Sequence, residues 1–126
     1  MIEVKMSEIL SALPILEELS KKTFKGIIAF KIARVIKKLR EESEIFNEVR
    51  RKAIENFAEK DENGNLIISN DGIIKIQEDK INECNNSILE ILNEVIKLEI
   101  EKLPLELFEE LEFSPEDILK IEFLIQ

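Results

Sequence analysis

Residues 27–59 read IIAFKIARVIKKLREESEIFNEVRRKAIENFAE and contain neither proline nor glycine. From Ile28 to Asn56, apolar residues recur at alternating steps of four and three positions, and only Glu42 and Asn56 on this stripe are polar. Such a period predicts one long α-helix with a buried face. At a rise of 1.5 Å per residue the helix would be about 50 Å long. We therefore expect it to project from a compact body, to bend near Glu42 and Ser43, or to pack against a second copy.

A turn and a hairpin follow this helix. Residues 60–65, KDENGN, form a concentrated turn signal, and the β-branched runs 66–68 and 73–76 flank the sequence Ser-Asn-Asp-Gly at 69–72. This pattern predicts a β-hairpin in which 66–68 pairs with 73–76. A second apolar stripe then predicts a helix over 77–93. The hairpin would allow the two helices to run antiparallel.

The two ends of the chain supply a small sheet and a last helix. Residues 2–5 and 96–101 alternate apolar and charged side chains, which predicts two half-exposed strands that pair with each other. Ser114 followed by Pro115 marks a helix start near the C-terminus. The predicted fold class is α+β in a single domain, 1–126: a long-helix antiparallel hairpin, a small antiparallel β-sheet and a C-terminal capping helix. No internal repeat is visible.

Several classes of chemistry are excluded by composition. The 126 residues include no histidine and one cysteine, Cys84, so Ser–His or Cys–His catalysis, an intramolecular disulfide and a thiolate zinc site are absent. The segment that begins at Asp61 starts like a calcium loop, but Leu66 and Gly72 occupy the positions that require glycine and glutamate. We expect no catalytic residue, no metal and no cofactor.

No apolar run approaches the roughly 20 residues that span a bilayer. Charged residues interrupt residues 1–19, so no signal peptide is visible. We expect a protein that stays in a reducing cytoplasm and has no membrane partner.

Charge is distributed unevenly along the chain. The net charge is −9, yet residues 21–40 contain eight cations and no acid, whereas eleven acids and three lysines follow from residue 90 onward. The basic window is solvated or neutralised within the fold, or contacts an acidic protein surface, including that of a second copy. Nucleic-acid binding is disfavoured by the net charge and by the lack of interleaved aromatic residues. The candidate partner-binding basic face consists of Lys31, Arg34, Lys37 and Lys38.

Three segments in this order resemble a family of small bacteriophage and prophage proteins. They are residues 29–39, AFKIARVIKKL; residues 60–65, KDENGN; and residues 114–118, SPEDI. The family is a domain of unknown function, and some of its members are labelled tail proteins. The resemblance implies a phage origin, with a place in the host cytoplasm or in the virion, and supplies no catalytic residues to transfer.

Two functional hypotheses follow. In the first, the chain is a non-enzymatic phage protein that acts by protein–protein contact, as a minor virion component or a tail assembly factor. In the alternative, it inhibits a host defence enzyme through an acidic surface that mimics phosphates. The long apolar stripe also predicts a homo-dimer, because exposed stripes of that extent usually mark an interface.

Overall fold

The computed structural model describes all 126 residues. The elements, in chain order, are β1 (Ile2–Lys5), α1 (Met6–Leu19), α2 (Gly26–Phe57), α3 (Ile81–Leu92), β2 (Val95–Leu98), α4 (Leu105–Glu109) and α5 (Pro115–Ile121), with 3₁₀ turns at Glu78–Lys80 and Glu122–Leu124. The α+β class is confirmed, since helices dominate and the sheet has two antiparallel strands. Helix α4 was not predicted. None of the helices is both long and apolar enough to cross a bilayer.

The chain groups into two compact units. Unit 1 comprises residues 1–44 and 94–126, and unit 2 comprises residues 45–93. Helix α2 supplies residues to both units, because the boundary at Glu44 falls inside it. Unit 1 is therefore built from two separate stretches of chain, whereas unit 2 is one continuous stretch.

The sheet of unit 1 joins the two stretches. Strand β1 pairs with β2 in an antiparallel register that places Ile2 opposite Leu98 and Lys5 opposite Val95. Alternate side chains of β1, Ile2 and Val4, are buried, as expected for a sheet with one solvated face. The predicted strand 96–101 is shorter at its C-terminal end and begins one residue earlier. Its residues 99–101 remain unpaired because β1 offers only four residues as partners.

The core of unit 1 is mostly aliphatic, with Phe108 as its buried aromatic residue. Helix α1 buries Ile9 and Leu16, α2 buries Leu39, and no buried residue is polar. Helix α5 packs against α1, as the predicted capping helix should. Ser114 caps α5, because its hydroxyl oxygen accepts a hydrogen bond of 3.1 Å from the Asp117 N–H. A parallel bridge between Leu103 and Ile125 holds the C-terminal residues.

Unit 2 contains the end of α2, helix α3 and the connection between them. The predicted hairpin is present as an antiparallel bridge between Ile68 and Ile74. The two strands of the hairpin are two arms of this connection. Residues 58–60 form a third arm, which pairs with them through bridges from Ala58 to Ile76 and from Lys60 to Leu66. The bridge at Ala58 brings the end of α2 next to the turn that starts α3, as the helical hairpin requires.

The three arms are linked in a closed ring of backbone hydrogen bonds. The Glu59 N–H donates to the Lys75 carbonyl (2.8 Å), the Lys75 N–H donates to the Ile67 carbonyl (2.9 Å), and the Ile67 N–H donates to the Glu59 carbonyl (3.3 Å). Glu59, Ile67 and Lys75 follow one another at intervals of eight positions, and each makes the same pair of hydrogen bonds. The ring therefore has approximate threefold symmetry. A salt bridge of 3.2 Å from Lys75 Nζ to Glu59 Oε2 crosses it.

Two similar turns connect the arms. In the first turn the Gly64 N–H donates to the Asp61 carbonyl, and in the second the Gly72 N–H donates to the Ser69 carbonyl. Both glycines have φ near +80°, which glycine adopts without steric cost. The Asp61 carboxylate accepts from two backbone N–H groups inside its own turn, at Asn63 and Asn65. That oxygen therefore stabilises the turn.

Unit 2 has a thin core. Of the nineteen buried apolar residues of the chain, only Phe46, Ala58 and Cys84 belong to its 49 residues. The apolar face of α3 buries Cys84 and leaves Ile81 and Leu89 exposed. A unit of this size with three buried apolar side chains lies near the lower limit for independent stability.

Candidate basic groove

The four residues predicted as a basic face line one open groove in unit 1. The groove has a volume of about 880 Å³ and runs along the first half of α2. Its opposite wall is formed by Met1 and the irregular residues 99–101 that follow β2. Arg34 is three positions after Lys31 and three or four positions before Lys37 and Lys38, so α2 presents these cations on one broad side. We refer to this feature as the basic groove.

The cations of the groove are only weakly neutralised. Lys31 Nζ lies 4.0 Å from Glu101 Oε2, and Lys38 Nζ lies 3.8 Å from Glu41 Oε2. Both pairs are solvent-accessible, and ion pairs of this kind contribute between about 0 and 1 kcal/mol. Salt screens them further. An incoming carboxylate could therefore replace either acid at little cost.

Arg34 and Lys37 have no carboxylate within 4.0 Å. The guanidinium carbon of Arg34 instead lies 5.1 Å from the ring centroid of Phe30, one helical turn earlier. A cation over an aromatic face is stabilised by about 0.5–1 kcal/mol at an exposed site. This contact orients the guanidinium while its N–H groups remain available to an acceptor.

The groove also contains apolar surface. Phe30 is 57% exposed, Met1 is 77% exposed, and Ile100 is half-buried on the facing wall. Val35 is buried at the helix surface beneath them. Cations around an apolar strip match a segment that has acidic residues on one side and apolar residues on the other.

The rest of the basic window, residues 21–40, lies outside the groove. Arg40 Nε donates a hydrogen bond of 3.1 Å to Glu17 Oε1 of α1. Lys21 Nζ donates one of 2.8 Å to Glu18, and this hydrogen bond raises the pKa of the Lys21 ammonium. Part of the window is thus neutralised within the fold, as one interpretation of the sequence proposed, and Lys22 and Lys25 are solvated.

Two parts of the groove were not identified from the sequence. Phe30 was included in the helix only, although its spacing of four from Arg34 is the usual one for a cation–aromatic pair on a helix. Residues 99–101 were placed in a strand, and their position on the groove wall depends on where β1 begins, because Ile2 is the partner of Leu98. One ring among four cations does not amount to the interleaved aromatic residues typical of a nucleic-acid surface.

The acidic C-terminal portion forms a second charged surface. Ten of the eleven acids from Glu90 onward are exposed, and only Glu101 and Glu116 of this set have a cation within 4.0 Å. Helix α4 and the loop after it carry Glu106, Glu109, Glu110 and Glu112. No group of three acids or cysteines in the structure is arranged to hold a metal ion.

Comparison with known proteins gives no relative from which a role could be transferred: no family model, no curated protein and no solved structure matches the chain.

Proposed function

We propose that this chain is a non-enzymatic phage protein that acts by protein–protein contact, as a minor virion component or a tail assembly factor, and that it binds its partner in the basic groove. The observation that carries the binding role is the groove itself, with two cations free of carboxylates beside an exposed aromatic ring. The phage assignment rests on the resemblance of residues 29–39, 60–65 and 114–118. The protein would act in the host cytoplasm or be carried in the virion.

The partner class follows from the lining of the groove. Its cations favour an acidic segment, and its exposed Phe30 and Met1 favour apolar side chains on that segment. Charge complementarity would raise the association rate, and burial of the aromatic ring would slow dissociation. We propose an acidic amphipathic segment of a phage structural protein as the occupant, and a homo-dimer of this chain as the active form.

A capture experiment tests the binding role. Tagged wild-type protein and the variant Arg34→Glu with Lys37→Glu would be incubated with lysate of phage-infected cells, and bound proteins would be identified by mass spectrometry. We expect the variant to lose at least about tenfold of the captured partner, since both cations are free of internal pairs. The matched control is Lys22→Glu with Lys25→Glu, which changes the net charge equally at two exposed lysines outside the groove.

Equal capture by the variant and the control would refute the groove as the binding site. If only the groove variant loses capture, cross-linking of the wild-type protein through Lys31 and Lys37 locates the occupant, which should be an acidic amphipathic segment. Mass spectrometry of purified virions tests the virion form of the proposal. Absence from particles, together with normal tails in a deletion phage, would contradict both the virion and the assembly role.

A second candidate function is supported by the acidic surface from Glu90 onward. Most of these carboxylates are exposed and have no cation nearby, so they could replace nucleic-acid phosphates in the basic site of a host defence nuclease. This role requires a stoichiometric host protein in the capture experiment. Substitution of Glu109 and Glu110 by Gln should release that host protein without affecting capture through the groove. Recovery of phage structural proteins alone would exclude this candidate.

A further inference from the structure

Six large aliphatic side chains of unit 2 are substantially exposed. Ile45 is 57% exposed and lies one turn before Val49 on α2, and Leu89 is 53% exposed and lies two turns after Ile81 on α3. Ile68 and Ile73, which flank the second turn, complete the set. Single exposed leucines are ordinary, but this number in 49 residues with three buried apolar side chains is not.

We propose that unit 2 holds the second copy of the chain, through the exposed aliphatic side chains of α2 and α3, and thereby leaves the basic groove of unit 1 free for a different protein. This placement rests on the homo-dimer of the proposed function but does not depend on the groove. It differs from a pairing of the basic window with an acidic face of the other copy, in which the basic window would be occupied.

The exposed apolar area of α2 and α3 is close to what a dimer needs. With roughly 100 Å² for each half-exposed aliphatic residue, Ile45, Val49, Ile81 and Leu89 present on the order of 400 Å². A stable interface buries about 800 Å² on each partner, of which about 60% is apolar. The four side chains therefore supply most of the apolar area that one side of a dimer requires.

Charge also favours a second copy as the occupant. Residues 45–57 carry three cations and two acids, whereas residues 78–92 carry four acids and one cation. In an isologous pair, a surface on one copy meets the same surface on the other after a twofold rotation. A pairing that brings α2 of one copy near α3 of the other would place a net positive segment beside a net negative one, around a shared apolar centre.

Sedimentation velocity of the full chain between about 2 and 200 µM measures the self-association. We expect a concentration-dependent dimer for the wild type, weakened at least about tenfold by Ile45→Glu or by Leu89→Glu. The matched controls are Ile27→Glu and Leu119→Glu, which alter similarly exposed side chains of unit 1. Neither should change the dimer.

The outcomes separate the two proposals. A monomer at every concentration would overturn both the homo-dimer and its placement in unit 2. The exposed aliphatic side chains of α2 and α3 would then be available to an unrelated protein. A dimer that resists Ile45→Glu and Leu89→Glu, or that Leu119→Glu disrupts, would overturn the placement alone.

Hydrogen exchange on the wild type avoids any folding defect of the variants. Amides of 45–57 and 81–92 should become more protected as concentration rises, whereas those of 6–19 should not. Protection that rises in 6–19 and not in unit 2 would contradict the placement.

Discussion

Replacement of Gly64 or Gly72 by alanine tests the two turns of unit 2 in isolation from side-chain packing. A Cβ atom at either position would meet no atom within 4 Å, and the backbone φ angles are +80° and +79°. The cost of each substitution must therefore come from the left-handed backbone alone. For a residue with a Cβ this conformation costs roughly 1–2 kcal/mol. We expect each substitution to lower the free energy of unfolding by that amount.

The third glycine of the chain provides a matched control. A Cβ at Gly26 would also meet nothing within 4 Å, but its φ is not positive. Gly26 is the first residue of α2, where alanine restricts the unfolded chain and has the higher helix propensity. Gly26→Ala should be neutral or should stabilise by up to about 1 kcal/mol. Gly72→Asn should cost less than Gly72→Ala, because asparagine tolerates the left-handed region.

Urea denaturation at fixed protein concentration measures these differences, and hydrogen exchange at Glu59, Ile67 and Lys75 locates them. Because the two turns repeat the same backbone hydrogen bonds, the costs at Gly64 and Gly72 should agree within about 0.5 kcal/mol. Alanine variants as stable as the wild type would refute the left-handed turns. A large difference between the two sites would refute their equivalence.

Three other substitutions or conditions probe separate features. Leu39→Ala should destabilise the protein by about 2–5 kcal/mol because the side chain is fully buried, whereas Leu119→Ala, at an exposed position, should cost less than about 0.5 kcal/mol by thermal denaturation. Ser114→Ala should cost about 1 kcal/mol by loss of the helix cap, and fraying of α5 should appear in its amide exchange. The hydrogen bond and charge of Arg51 lower the pKa of Glu48. The stabilisation from this pair is therefore present above the ordinary glutamate pKa and is lost as pH falls through the lowered pKa. NMR titration of the Glu48 carboxyl should show a pKa below its ordinary value. Arg51→Gln should raise that pKa toward the ordinary value.

Local patterns in the sequence identified the main elements of the fold. The period of residues 27–59 predicted α2 to within two residues at either end, because a side-chain stripe is a property of neighbouring positions. Alternation in 2–5 and 96–101 likewise predicted which strands would pair. The true end of β2 at Leu98 could not be seen locally, since it depends on the length of a strand more than ninety residues earlier.

The repeated turn escaped detection for a different reason. Among the turn residues eight positions apart, only Gly64 and Gly72 are identical. Asp61 and Ser69 both accept backbone hydrogen bonds through their side chains, but the side chains differ. The division into two units also required the contacts between distant residues. In the basic groove, the cations were predicted from charge and spacing, whereas Phe30 and residues 99–101 became part of it only through tertiary structure.

The discontinuity of unit 1 has a consequence for synthesis on the ribosome. Lys5 and Val95 are paired, yet ninety positions separate them. The entropic free-energy cost of closing a loop of that length is about 2 kcal/mol greater than that of closing the eight-residue loops of unit 2. The segment 58–76 can close its ring of hydrogen bonds once α2 has emerged, whereas β1 must wait until β2 has been translated. Until then, the buried faces of β1 and α1 lack their partner strand, so β1 is among the last elements to find its partner although it precedes β2 by about ninety residues.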